Sequence, residues 1–214
     1  MTEPIPITAV VLTRNEADNI GRCLQSLQRC QEILVIDDHS DDDTVQIARQ
    51  HNARVLTHRF ESFASQRNWA MESGGLNTNW ALMLDADEEA SNPFLDELAH
   101  QLEHVSLKTL GFRTCRKTMF GGKWLRHADG FPVWIMRVVR VGHAWFEDAG
   151  HGEVPVPQPA HALSTIREPF IHHPFSRGLA DWLDRHNRYS SREAELEILA
   201  ANRIPFTQCL SRDR

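Results

Sequence analysis

Asp85 and Asp87 stand two residues apart at the end of the apolar run WALML (80–84), and Glu88 follows directly. On an extended chain, positions i and i+2 project to one side, so both carboxylates face the same space. Two carboxylates held together repel unless a cation or a proton is shared between them. A hard divalent ion, Mg2+ or Mn2+, prefers oxygen ligands and commonly takes one or two carboxylates plus phosphate oxygens. Asp-x-Asp alone is a short pattern that also describes a surface turn whose acids cap the next helix. Two more polar clusters bear on the choice, TRNE (13–16) and DDHSDDD (37–43), because each also ends an apolar run.

These clusters need elements to hold them. The runs at 7–13, 32–37, 53–58 and 80–85 are apolar and β-rich, which predicts four strands. Between them, residues 16–30, 40–52 and 62–73 carry helical spacing, the second with Ser40 or Asp41 as expected N-cap and the third ended by Gly74 and Gly75. Asp41, Asp42 and Asp43 fit stabilisation of that second helix's first turn. Strands alternating with helices imply a mainly parallel sheet flanked by helices, an α/β fold that binds ligands beyond the carboxyl ends of its strands. All three clusters then share one edge. After residue 92 the expectations are a helix at 92–105, strands at 110–120 and 133–141, an exposed loop at 154–161 and a long helix at 177–202.

Composition narrows the classes. The chain has 214 residues, 41% hydrophobic and 24% charged, as a folded domain should. Residues 1–110 carry 8 Lys+Arg against 18 Asp+Glu, and residues 111–214 carry 15 against 11, so the halves differ in sign. The acidic first half does not suit nucleic acid, which is expected to be no partner. Four cysteines without regular spacing favour a reduced, cytoplasmic protein, and the N-terminus does not read as a secretory signal. A phospho-receiver module is the rival class, since ILVIDDHS (33–40) resembles a receiver's acidic pair. Receivers, however, place that pair after their first strand, and here ITAVVLT precedes it.

The blocks ITAVVLTRNEADNIGRCLQSL, EILVIDDHSDDDTVQIA, SFASQRNWAM and WALMLDADEEAS, in this order, resemble the nucleotide-sugar half of inverting family-2 glycosyltransferases. The chain is most similar to those of bacterial lipopolysaccharide core biosynthesis. The resemblance implies a GT-A fold, with residues 1–110 as nucleotide-sugar half and 111–214 as acceptor half of one domain. It implies a donor such as UDP-glucose, a divalent cation, a lipid-linked or core saccharide acceptor, and peripheral contact with the cytoplasmic face of the inner membrane. Carried onto this sequence, Thr13, Asn15 and Glu16 would line the nucleoside pocket, Asp38 would accept from the uracil ring, and Arg67 would lie near the donor. Asp85 and Asp87 would flank the ribose and the metal-diphosphate, with Glu88 and Glu89 opening the following turn.

Inverting transfer also needs a carboxylate to take the acceptor's proton. FEDAGHGE (146–153) offers Glu147, Asp148, His151 and Glu153; Asp148 is favoured, with Glu153 as competitor. His172, in IHHPF, is the expected imidazole for the metal. Trp124, Trp134 and Trp145 are candidates for stacking on the acceptor, and residues 120–130 for a lid. The arginines of the last helix, Arg177, Arg185, Arg188 and Arg192, suit a membrane surface or acceptor phosphates.

Overall fold

The computed structural model describes residues 3–127, 130–149, 152–156, 159 and 162–203, with side chains to residue 198. The first half runs β1 (Ile5–Thr13), α1 (Ala17–Ser26), β2 (Cys30–Asp37), α2 (Thr44–Gln50), β3 (Arg54–Thr57), α3 (Phe63–Ser73), β4 (Trp80–Asp85), β5 (Glu88–Glu89) and α4 (Asn92–Glu103). The second half adds β6 (Gly111–Thr114), β7 (Arg116–Phe120), β8 (Lys123–Trp124), β9 (Ile135–Arg140), β10 (Phe146–Ala149), β11 (Gly152–Pro155), β12 (Leu163–Thr165), β13 (Phe170–His172) and α5 (Leu179–Arg203).

A seven-stranded sheet has the order β12-β6-β9-β4-β1-β2-β3. The pairs β1–β2, β1–β4, β2–β3 and β6–β12 are parallel, whereas β9 runs antiparallel to both β4 and β6. The central strands are apolar on both faces because both are covered. Ile7, Ala9 and Val11 of β1 pack with Ile20, Leu24, Phe94 and Leu98 of α1 and α4, while Val10 and Leu12 pack with Ala64, Ala70 and Met71 of α3. This order is not the 2-1-3-4-5 of the receiver type, which removes the rival reading. The second half inserts β6, β9 and β12 into the same sheet, so both halves share one core.

Four local expectations change. The 110–120 run is two strands broken at Cys115: β6 stays in the central sheet, and β7 enters a second sheet of order β5-β13-β7-β8. The N-cap of α2 is Asp43, not Ser40 or Asp41, and no acid lies in that helix's first turn. Instead the Asp42 carboxylate accepts from the Thr44 amide and hydroxyl and from the Ala17 amide, while Ser40 donates to Asp37 and accepts from the Asn15 amide. Val154 and Pro155 belong to β11 rather than to an exposed loop, and Pro157, Gln158, Ala160 and His161 of that stretch lie outside the described residues. Glu88 and Glu89 form β5, antiparallel to β13, and so begin no turn.

The described cysteines, Cys23, Cys30 and Cys115, are buried and unpaired; Cys209 lies outside the described residues. No described helix is long and apolar enough to cross a membrane.

Candidate active site

β1, β2 and β4 end together because their registers align: Thr13 lies beside Asp37, and Leu12 beside Asp85. Their carboxyl ends open into a cavity of about 680 Å³, within the range of small-ligand sites. Thr13, Glu16, Asp38, Asp85, Asp87, Glu153 and His172 all line it. Seven of the ten residues singled out from the sequence therefore meet in one space, although they span 160 positions of chain.

Each is held differently. The Thr13 hydroxyl is buried without a hydrogen-bond partner among the described residues, an orphan on the cavity wall. Asp38 is buried; one oxygen accepts from the Phe60 amide at 3.0 Å, and the other from Arg14 Nη1 at 2.8 Å. Glu16 accepts from Asn19 Nδ2 at 2.7 Å and lies 3.4 Å from Arg177 Nη1; burial pushes its carboxyl up despite both.

At the cavity wall, and reaching behind it, lies a cluster of three carboxylates and two guanidiniums, of which Asp85, Glu153 and Arg137 face the cavity. Asp85 Oδ1 accepts from Arg67 Nη2 at 2.9 Å and Oδ2 from Arg137 Nη2 at 3.2 Å, and Arg137 Nη2 also donates to Glu88 Oε1 at 3.1 Å. Glu88 Oε2 accepts from the Asp85 amide at 2.9 Å, which closes the turn after β4. Glu153 Oε1 stands 3.0 Å from Arg67 Nε and 3.5 Å from Arg137 Nη1. Neither N–H is aimed at that oxygen, so these two contacts are coulombic rather than hydrogen-bonded. Burial alone would raise the Asp85 carboxyl, but Arg137 and Arg67 outweigh it and hold it at about 2. Burial raises Glu88, which has less compensation, and its carboxylate neighbours Asp85 and Asp87 reinforce the rise.

Arg67 thus lies behind Asp85, fully buried, not on the cavity wall. Asn15 is also off the wall. It holds a left-handed backbone (φ 52°), which asparagine tolerates, and its side-chain oxygen accepts from the Asp41 amide. Asp148 is exposed on β10, beside a second cavity of about 140 Å³, opposite Glu153 in the β10–β11 ribbon. Gly150 and His151 lie outside the described residues.

Asp87 Oδ2 is 3.6 Å from His172 Nε2, across β5 and β13. Both oxygens of Asp85 are occupied by guanidiniums, so Asp87 is the carboxylate better placed to ligate a cation. A carboxylate oxygen and an imidazole nitrogen suit a divalent ion, and the buried Nδ1 of His172 has no partner among the described residues. Among those residues no three His, Cys, Asp or Glu side chains are grouped so as to hold a metal ion by themselves, so the remaining positions would fall to oxygens of the ligand.

Sequence reasoning missed Arg137 and Glu88. The signal for Arg137 was a single cation inside the buried strand IMRVVR, which requires a buried anion somewhere. The tryptophans proposed for stacking line neither cavity; Phe175 and Trp182 do. The lid segment forms the β7–β8 hairpin, whose Gly121 and Gly122 both take the positive φ that a two-residue turn needs. Leu125 from this segment reaches the cavity, and Ala128 and Asp129 lie outside the described residues.

Known proteins resemble this chain in sequence and in fold. LpsC of Rhizobium meliloti (strain 1021), a lipopolysaccharide core biosynthesis glycosyltransferase, is 24% identical over 214 residues, covering 96% of this chain and 77% of LpsC. An uncharacterized glycosyltransferase of Rickettsia felis is 39% identical over 95 residues, 44% of this chain and 33% of that protein, so the match spans about a third of the relative's length. The crystal structure of S. aureus TarS (residues 1–349) superposes with a TM-score of 0.53 at 15% identity, covering 78% of this chain and 60% of that one, a likeness of fold that fits the expected GT-A architecture. Residues 8–147, well over half the chain and including every strand end of the cavity floor, match the model for "Glycosyl transferase family 2". On that match the chain belongs to glycosyl transferase family 2.

Proposed function

We propose that the protein is an inverting, metal-dependent glycosyltransferase that moves a hexose, glucose from UDP-glucose, onto a saccharide of the lipopolysaccharide inner core. The observation that carries this reading is the meeting of Thr13, Asp38, Asp85 and Asp87 at the carboxyl ends of parallel strands in a family-2 fold. The core-saccharide acceptor is supported by the likeness to LpsC over 96% of this chain.

Residues 1–110 take the donor and residues 111–214 the acceptor. Asp38 and Thr13 meet the base and ribose of the nucleoside, with Asn15 and Glu16 shaping that end. Asp85, fixed by two arginines, meets the ribose side of the diphosphate. Asp87 and His172 would hold Mg2+ or Mn2+, which supplies neutralisation of the charge on the departing diphosphate.

In the transfer step the acceptor hydroxyl oxygen bonds to the anomeric carbon on the face opposite the diphosphate. The bond from that carbon to the phosphate oxygen breaks, its electron pair leaving with UDP, and the hydroxyl proton passes to a carboxylate. Asp148 is the base we favour, because its carboxylate is exposed beside a cavity while Glu153 is engaged with two guanidiniums. Family membership argues against a purely non-catalytic module. The protein would work at the cytoplasmic face of the inner membrane, reached through peripheral contact.

Calorimetric titration of UDP and UDP-glucose with Mn2+, and again with EDTA, tests the reading. Metal-dependent binding is expected; no binding of any nucleoside diphosphate would falsify it.

A further inference from the structure

The wall opposite the strand ends is made by α5 and β7, and nothing in the donor reading uses it. Along one face of α5, Trp182, His186 and Tyr189 follow at positions i, i+4 and i+7. Their rings form a continuous run: Phe175 to Trp182 at 5.2 Å, Trp182 stacked on His186 at 3.8 Å, and His186 to Tyr189 at 5.6 Å. All four line the large cavity, and Tyr189 also lines the smaller one that Asp148 borders. Tyr189 therefore borders both spaces, the one that holds the candidate metal site and the one beside the candidate base.

The same wall carries an uncommitted cation. Arg116 of β7 lines the large cavity, half-buried, and has no hydrogen-bond or ion-pair partner among the described residues. The other guanidiniums on the cavity wall are engaged: Arg14 with Asp38, Arg137 with Asp85 and Glu88, Arg177 with Glu16 and Asp181, and Arg185 with Asp181 and the Pro174 carbonyl. Arg116 and Thr118 alternate on the same side of β7, and Thr118 registers with His172. A planar guanidinium held beside an aromatic wall suits a ligand with an apolar ring face and an anion.

We infer that this wall is the acceptor subsite, and that the acceptor is a sugar bearing an anionic group, phosphate or carboxylate, held by Arg116 with its ring packed against Tyr189. The inference rests on the glycosyltransferase reading and deepens it. The two-part chemistry places the acceptor across the cavity from the nucleoside-binding strand ends, on the path to Asp148.

Saturation-transfer NMR in saturating UDP and diamagnetic Mg2+ tests it, with mannose 6-phosphate and glucuronic acid as anionic probes and mannose and glucose as neutral ones. Transfer to at least one anionic sugar is expected, with little to the neutral pair; whichever anionic sugar responds identifies phosphate or carboxylate as the group read. Arg116→Ala should weaken that binding roughly tenfold or more, the scale of one charge-assisted hydrogen bond. Tyr189→Ala should weaken all sugar contact, and UDP affinity, measured on the same samples, should stay unchanged in both variants and so report an intact fold. Equal response from neutral sugars, no response from any sugar, or unchanged binding in Arg116→Ala would overturn the inference while leaving the donor reading intact. Loss of UDP affinity in Arg116→Ala would overturn it by assigning Arg116 to the diphosphate. Failure of the native protein to bind UDP would remove the donor reading itself, and the inference with it.

Discussion

On the strand-end side of the cavity the charges interlock: Asp85, Glu88 and Glu153 share Arg67 and Arg137, with Glu88 and both arginines buried and Asp85 and Glu153 facing the cavity. On the α5 side aromatic rings line the wall, Arg177 and Arg185 pair with Asp181, and the Arg116 side chain has no charge partner among the described residues. The first wall is built before any ligand arrives, so its geometry costs nothing to organise at binding. The second offers surface and one cation whose partner must come from outside. Under the proposed function the built wall would take the donor and the open wall the acceptor.

Breaking the interlocked side should give the largest change. Arg137→Met leaves Glu88 buried with its charge uncompensated, and about 3–5 kcal/mol of stability should be lost in urea unfolding. Adding Glu88→Gln should recover part of that loss; no recovery would mean that Arg137 contributes through packing instead.

Asp148→Asn comes next. It should lower kcat by roughly 10²–10⁴-fold, the usual range for a general base, yet leave UDP affinity and stability near native values. If Asp148→Asn stays active and Glu153→Gln does not, the base is Glu153 and the division between the walls blurs. Asp87→Ala should bring UDP affinity in Mn2+ down to its EDTA value, a loss of about tenfold or more for one metal ligand.

The pH dependence is smaller and separates the two sides further. Asp85 titrates at about 2 in the folded protein, below the roughly 3.9 of an unfolded aspartate. Its contribution to stability is therefore present above about pH 4 and is lost as pH falls towards 2. Glu88 has the opposite sign: its raised carboxyl favours the protonated fold, so its contribution is present at low pH and lost as pH rises through its folded value. Acid unfolding of native protein and Asp85→Asn should converge as pH falls through that window; parallel curves would show that Asp85 is not held by the arginines. The smallest effect belongs to the open wall. Arg116→Ala should change stability by no more than about 0.5 kcal/mol, since its side chain has no hydrogen-bond or ion-pair partner among the described residues to lose.

The first half was largely legible because its signals are local. The apolar run at 80–85 is β4 to the residue, and the helix expected at 62–73 is α3, with Ser62 as its cap through the Ser65 amide. The second half was less legible because its signals depend on distant partners. Cys115 interrupts one apparent strand because the chain leaves one sheet for another, a decision no period-two pattern records. The α2 cap shifted for a similar reason: Asp42 bonds to Ala17 across the sheet's edge, and Ser40 is recruited by Asp37 and Asn15.

By itself the sequence determined the strand and helix order of residues 5–103 apart from the two-residue β5, and with it the placing of three polar clusters at one edge, because burial pattern acts over a few residues. Only the tertiary structure decided which charge meets which. Arg137 reaches Asp85 and Glu88 from about 50 positions away, Glu153 returns to Arg67 from a ribbon in the second half, and α5 brings its aromatic face back over β1, β2 and β4. Such pairings are set by how layers pack and strands register, and a buried charge has no period along the chain to announce its partner.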